Sequence, residues 1–290
     1  MSVFVMKLIA VVSMFIDHLT YVAKLSGSLP YGTLYYAGRA IGRPAFVIYC
    51  FLLVNGYDKT QDRKKYLSRL ILFSLVSQLP FTLAFTPENY LNQGGMPFHF
   101  DALTVLPLLL PLSAYYLFVC ERRAELSLLW LALLFTLAGT KLRLGGLMLF
   151  DTDMNVFCTL AVAMAMMMFF DWLSSEGRSW GKGLFLAAAL GAELFFLQQN
   201  ADYGLAGVGL ILGLYFSRRK KLVQLTVAAL WCVLEYNFYA PYVIGALAAL
   251  LPIALYSGKL GRKLRTAFYV FYPAHLTLLG AVFILLRKTM

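Results

Sequence analysis

Runs of about twenty consecutive apolar residues recur from one end of this chain to the other, and that length is what an α-helix needs to cross a hydrocarbon core about 30 Å thick. Backbone N–H and C=O groups find no water in lipid, so each run is expected to close its hydrogen bonds within a helix. The pattern predicts an all-α, polytopic transmembrane helical bundle of about eleven spans. They are placed near residues 3–24, 33–56, 66–86, 101–120, 126–140, 155–173, 183–199, 202–217, 222–240, 242–257 and 266–286. Charged residues are 13% of the 290, about half the share of a soluble domain. No polar stretch is long enough to fold separately, so residues 1–290 read as a single transmembrane domain. The first run contains Lys7, Asp17 and His18 and lacks a small-residue cleavage site, so it reads as a retained helix rather than a signal peptide.

The net charge of +11 invites a nucleic-acid reading, but its distribution follows topology. Alternate connections carry Lys59, Arg63, Lys64 and Lys65; Arg122 and Arg123; Arg178 and Lys182; Arg218, Arg219, Lys220 and Lys221; and Lys259, Arg262, Lys263 and Arg265. With Lys7 and Arg69, one side collects 18 of the 25 Lys and Arg residues. Basic connections stay on the cytoplasmic side, which places the N-terminus inside and the C-terminus outside and leaves no role for nucleic acid.

Cys50, Cys120, Cys158 and Cys232 all fall inside apolar runs, with no metal-ligand or redox spacing. They read as small hydrophobes, and no metal site is expected. The sequence contains no phosphate-binding loop, dinucleotide fingerprint, nucleophile elbow or HExxH motif, and no internal repeat is visible.

The informative residues are the polar ones inside the runs. An ionised side chain near the bilayer centre costs about 2.5–3.5 kcal/mol or more, so it normally faces protein or water. Asp17 and His18 lie in the first span, Arg39 and Arg43 in the second, Gln78 and Pro80 in the third. Glu193 lies in the seventh, Glu235 and Asn237 in the ninth, and His275 in the last. Arg39 and Arg43 are four apart and share a helix face; Gly38 and Gly42 beside them form a small-xxx-small pair that lets another helix approach. At about 1.5 Å rise per residue, His18 and Asn237 both lie about 22 Å across, Gln78 about 18 Å, and Arg39 about 9 Å below the outer boundary. Grouping at one level suggests a cavity. The competing reading is an Asp17–Arg39 or Asp17–Arg43 salt bridge that only fastens two helices.

Several short segments resemble the TraX family, named for the conjugative-pilin acetylase. They are Ile16-Asp17-His18, Gly38-Arg39-Ala40, Arg43-Pro44-Ala45-Phe46, Arg69-Leu70 and Ser77-Gln78-Leu79-Pro80-Phe81, followed by Asn155-Val156-Phe157-Cys158-Thr159-Leu160, Asp202-Tyr203-Gly204-Leu205-Ala206-Gly207 and Phe271-Tyr272-Pro273-Ala274-His275-Leu276. Their order covers nearly the whole chain. Two departures stand out. Val47 occupies the place of a proline, with Pro44 nearby instead, and residues 87–154 form an insertion that carries two extra spans with His99 and Asp101.

The resemblance implies a membrane-embedded acyltransferase that takes acetyl groups from cytoplasmic acetyl-CoA. The acceptor would be the N-terminal amine of a pilin subunit, or another amine or hydroxyl on a surface glycan or lipid, at the outer face of a bacterial inner (plasma) membrane. Such chemistry needs a base and donors for an oxyanion. His18 with Asp17 is the first choice, and His275 is a second acid/base or an acetyl carrier. Arg39, Arg43, Gln78, Asn155, Asp202 and Tyr203 are candidates for substrate, oxyanion or phosphate contacts. Lys64, Lys65 and Arg69, with Arg63 and the Arg218–Lys221 run, are candidates for the coenzyme phosphates. The alternative is a proton-coupled transporter lined by the same Asp, His and Arg groups, although neither a duplicated half nor the broken-helix pairs typical of carriers are obvious. An assembly factor without chemistry would need none of the buried charge.

Overall fold

A computed structural model describes residues 1–85, 143–144, 147–148, 154–175, 201–262 and 265–288, with scattered positions from 180 to 194. The described chain is helical. It runs α1 (Val3–Leu25), α2 (Thr33–Gly42), α3 (Pro44–Lys59), α4 (Arg63–Phe85), α5 (Val156–Leu173), α6 (Gly204–Phe216), α7 (Lys221–Glu235), α8 (Ala240–Leu247), α9 (Leu250–Ala254) and α10 (Arg265–Lys288). Among the described residues, extended pairing is confined to Arg143–Leu144 with Leu147–Met148 and a bridge between Met154 and Ala201. Among the described residues, three helices are long and apolar enough to cross a membrane: Val3–Leu25, Thr33–Lys59 counted through its break, and Val156–Leu173. Shorter apolar helices follow at Gly204–Phe216, Ala240–Ala254 and Ala267–Phe283. This is an all-α membrane protein. The expected spans at 101–120 and 126–140, most of 183–199, and the residues Glu193, His99 and Asp101 lie outside the described residues.

Local chemistry redraws several expected boundaries. The second span is two helices because Pro44 has no N–H for the Ala40 carbonyl. The Arg43 N–H takes that carbonyl instead, at 3.2 Å, in a tighter turn. The tenth is likewise interrupted at Ala248–Ala249, four and three residues before Pro252, which cannot bond the Ala248 carbonyl. The ninth ends early, at Glu235, because Asn237 (φ 47°) and Phe238 (φ 59°) turn the chain through the left-handed region. The eighth starts late, behind Tyr203 at φ 61° and Gly204 at φ 39°. Its 13 residues span about 20 Å, too short to cross a bilayer unaided. The broken helices that were not obvious in the sequence are therefore present, as α2/α3 and α8/α9.

The chain forms two compact units, one from residues 1–59, 80–87 and 209–290, the other from 60–79 and 88–208. In the first, α1 packs on α2, α3 and α10, while α8 packs on α2, α3 and α7. Glycine permits these approaches. A Cβ on Gly42 would sit 2.2 Å from Asp17 Cβ, and one on Gly38 would sit 2.2 Å from Thr20 Oγ1. A Cβ on Gly245 would sit 2.1 Å from the Ala40 carbonyl oxygen, the group whose bonding Pro44 disturbs.

The basic residues near the helix ends of this unit have specific work. The Arg218 guanidinium donates to the Tyr215 carbonyl at 2.7 Å, the Lys221 ammonium to the Ala254 carbonyl, and Lys59 to the Gly258 carbonyl at 3.1 Å and the Tyr256 hydroxyl at 2.8 Å. The first two carbonyls belong to the ends of α6 and α9, where cations offset the helix dipole.

Because the obstructing atoms at Gly42 and Gly245 are a Cβ and a backbone carbonyl, Gly42→Ala and Gly245→Ala should each cost about 1–3 kcal/mol. Thermal unfolding of the purified protein in detergent would register this as a clear fall in midpoint, whereas Gly181→Ala, at a position with open space, should leave it unchanged.

Candidate functional site

Successive residues on a helix point about 100° apart, and α1 uses that offset to serve two neighbours. Asp17 faces α2 and the α2/α3 break. Its Oδ2 accepts from Arg39 Nη1 at 2.7 Å and its Oδ1 from Arg43 Nη2 at 3.3 Å. The Arg43 Nε–H also donates to the Arg39 carbonyl at 3.2 Å. Two guanidinium groups thus share one carboxylate, all three largely buried. Aromatic faces line the cluster: Arg39 lies 4.8 Å from the Tyr21 ring centroid, and Arg43 lies 5.4 Å and 5.0 Å from those of Tyr236 and Tyr242. Arg39 Nε is buried and has no hydrogen-bond partner, so this fork keeps a donor in reserve.

His18 faces the other way, towards α10. Its Nδ1 and His275 Nε2 are hydrogen-bonded at 2.8 Å. The two rings are tilted by only 9° with centroids 5.1 Å apart, as expected of imidazoles joined edge to edge. The Nδ1–H of His275 donates to the Phe271 carbonyl at 2.8 Å. His275 is 4% exposed, stacked on Phe271 and flanked by Phe15 and Tyr272. His18, half-buried as a whole residue, has Phe85 and Tyr272 against its ring. The candidate residues Asp17, His18, Arg39, Arg43 and His275 therefore stand together in one unit, although Asp17 does not contact His18.

Apart from the Arg218–Lys221 run, the remaining candidates belong to the other unit and form separate groups. Asn155, fully buried, donates through Nδ2 to the Ser74 carbonyl at 2.7 Å and to Gln78 Oε1 at 2.8 Å. Its own Oδ1 accepts from the Phe157 N–H at 3.1 Å, capping α5. The Thr159 hydroxyl donates to the Asp202 carbonyl at 2.7 Å, and the Asp202 N–H to the Met154 carbonyl at 3.0 Å. These bonds fix the turn in which Tyr203 takes its left-handed conformation. At the start of α4, Asp62 Oδ1 accepts from the Lys65 N–H at 2.8 Å, and the Lys64 and Lys65 side chains are exposed. Arg63 pairs with Asp171 at 2.5 Å. Arg69, a turn and a half further in, lies over the Tyr66 ring at 5.4 Å, and its buried Nε has no partner.

The sequence reading missed Tyr21, Phe85, Tyr236, Tyr242 and Tyr272, which wall the site. Tyrosines crowded into 236–242 carried a usable signal, since interfacial belts are rich in them. Nothing in the sequence singled out Phe85.

The family model described as TraX protein matches residues 2–150 and 104–283, nearly the whole length. The chain belongs to the TraX family. Among similar proteins, one described as "Probable fimbrial assembly protein FimC, serogroup H1" from Dichelobacter nodosus is 30% identical over 105 residues. That similarity covers 36% of this TraX-family chain and 41% of the relative, so it spans about two fifths of that protein's length. No solved structure matches.

Removing the shared carboxylate would leave two guanidinium groups without the anion they share, in an apolar setting. Asp17→Asn should destabilise the protein by about 3–5 kcal/mol. The double variant Asp17→Asn/Arg39→Gln should recover part of that loss, as a double-mutant cycle on thermal or denaturant unfolding would reveal.

Proposed function

We propose that this TraX-family protein is a membrane-embedded acetyltransferase. It would move an acetyl group from cytoplasmic acetyl-CoA to an amine or hydroxyl at the outer face of the bacterial inner membrane. The acceptor in this reading is the N-terminal amine of a pilin-like subunit, or a surface glycan or lipid. The observation that carries it is the His18–His275 pair, set beside a carboxylate shared by Arg39 and Arg43 within one unit. Family membership and the similarity to a fimbrial assembly protein support the pilin-related acceptor.

In this reaction the acceptor nitrogen attacks the thioester carbonyl. The C–N bond forms, the C–S bond breaks, the amine proton passes to His18, and the departing thiolate takes that proton away. Charge gathers on the carbonyl oxygen, and the donor that Arg39 keeps in reserve suits it, because a guanidinium presents fixed donors and stays charged. Lys64, Lys65 and Arg69 are proposed to hold the coenzyme phosphates. Arg69 is the strongest of the three, since its buried Nε lacks a partner. Arg218 and Lys221 are weaker choices because they already bond helix-end carbonyls.

The eleven-span topology, with the N-terminus inside and the C-terminus outside, belongs to the same proposal, and the insertion at 87–154 preserves it by adding an even number of crossings. A C-terminal alkaline phosphatase fusion should be active and a C-terminal green fluorescent protein fusion dark; the reverse pattern would overturn the orientation.

The decisive assay is thioester cleavage by purified protein in nanodiscs with acetyl-CoA, following free thiol. His18→Ala should lower the rate about 10²–10⁴-fold while the variant remains folded. If the wild type releases no thiol, acquires no acetyl group by mass spectrometry and gains no thermal stability from coenzyme A, the transporter reading replaces this one. A specific feature favours that second reading. Two interrupted helices, α2/α3 and α8/α9, meet where Gly245 faces the Ala40 carbonyl, and interrupted helices commonly border carrier sites.

A further inference from the structure

The hydrogen bonds around the two histidines fix where their protons sit. A backbone carbonyl only accepts, so His275 must carry its proton on Nδ1, the atom 2.8 Å from the Phe271 oxygen. A neutral imidazole with Nδ1 protonated has a lone pair on Nε2. That lone pair is directed at His18 Nδ1, 2.8 Å away in a nearly coplanar ring. His18 must therefore be protonated on Nδ1, which leaves its Nε2 as a lone-pair acceptor.

We infer that His275 is a positioning residue, which holds His18 in the tautomer and ring orientation that present Nε2 of His18 to a substrate. Both nitrogens of His275 are occupied, one by a carbonyl and one by His18. The second acid/base or acetyl-carrier role considered from the sequence would need one of them released. The surroundings agree with this division of labour. His275 is enclosed by Phe15, Phe271, Tyr272 and His18, which leaves neither of its nitrogens turned towards open space. The backbone bond to Phe271 also ties the arrangement to α10 itself, so the pair is oriented by the helix and not by a mobile side chain. The common orienting partner for a catalytic histidine is a carboxylate; here Asp17 is committed to Arg39 and Arg43, and a second imidazole takes that position.

The inference rests on the acetyltransferase reading for its activity measurement but not for its spectroscopic one. The full chain, labelled with nitrogen-15 at histidine and held in nanodiscs at neutral pH, reports the protonation of each ring nitrogen by NMR. His18→Gln and His99→Gln variants assign the three sets of signals. Both His18 and His275 should show a protonated Nδ1 and an unprotonated Nε2. In His275→Gln the new carbonyl oxygen can accept from His18 Nδ1–H, so His18 should keep its tautomer and most of the thioester-cleavage rate. His275→Leu offers no acceptor; His18 should sample the other tautomer and the rate should fall about 100-fold or more. A protonated Nε2 on His18 in the wild type would overturn the inference, as would a fully active His275→Leu protein. A His275→Gln protein with the correct His18 tautomer but no more activity than His275→Leu would also overturn it, by giving His275 a substrate contact of its own. If the wild type cleaves no thioester, the acetyltransferase reading falls, while the tautomers still decide this inference.

Discussion

One carboxylate shared by two guanidinium groups sets the terms for the first unit. Among apolar helices, Asp17, Arg39 and Arg43 are tolerable only in mutual contact, since each alone would sit uncompensated in a poor solvent for charge. Contact requires α1 and α2 to lie closer than ordinary side chains permit, and Gly38 and Gly42 provide that closeness. The Pro44 break then turns Arg43 so that its guanidinium reaches the same carboxylate as Arg39. Because α1 is held on that side by ionic contacts, the adjoining face, about 100° round the helix, presents His18 to α10 at a fixed angle. The ionic cluster and the histidine pair are two faces of one helix placement.

How much of this the sequence revealed depends on the range of the interaction. Helix existence followed from apolar runs, and α1 and α10 lie almost where the runs placed them. Gly38, Gly42, Arg39 and Arg43 were recognisable because their spacing of three or four residues is itself helical geometry. The His18–His275 bond joins residues 257 positions apart; no local pattern encodes it, and the sequence left the two as separate candidates for one task. Helix ends were read less well. The early stop of α7 depends on Asn237 and Phe238 both taking left-handed conformations; asparagine adopts that conformation readily, but phenylalanine is not a usual choice for it. The late start of α6 depends on bonds from Met154 and Thr159, more than forty residues earlier.

Basic residues illustrate a different limit. Charge counting treats Lys59, Arg218 and Lys221 as topological markers, and as such they are equivalent. In the structure they differ from Arg219 and Lys220 because each holds a defined carbonyl. Arg69 differs again, being set into α4 with a buried nitrogen that has no partner. Hydropathy and charge patterns sum over such cases, and only the positions of the acceptors separate a cation that closes a helix from one that is available to an anion.

The hydrogen-bond chain through the two imidazoles ends at the Phe271 carbonyl, and that terminus has an energetic corollary for a protein of this setting. A carbonyl oxygen cannot accept a proton at one lone pair and release another elsewhere, so the chain is a cul-de-sac rather than a wire. Any proton taken up by His18 leaves by the atom through which it arrived. Ionisable groups buried in a membrane can pass protons across it when they form a continuous chain; here the chain stops at the Phe271 carbonyl, so the pair exchanges protons through His18 alone.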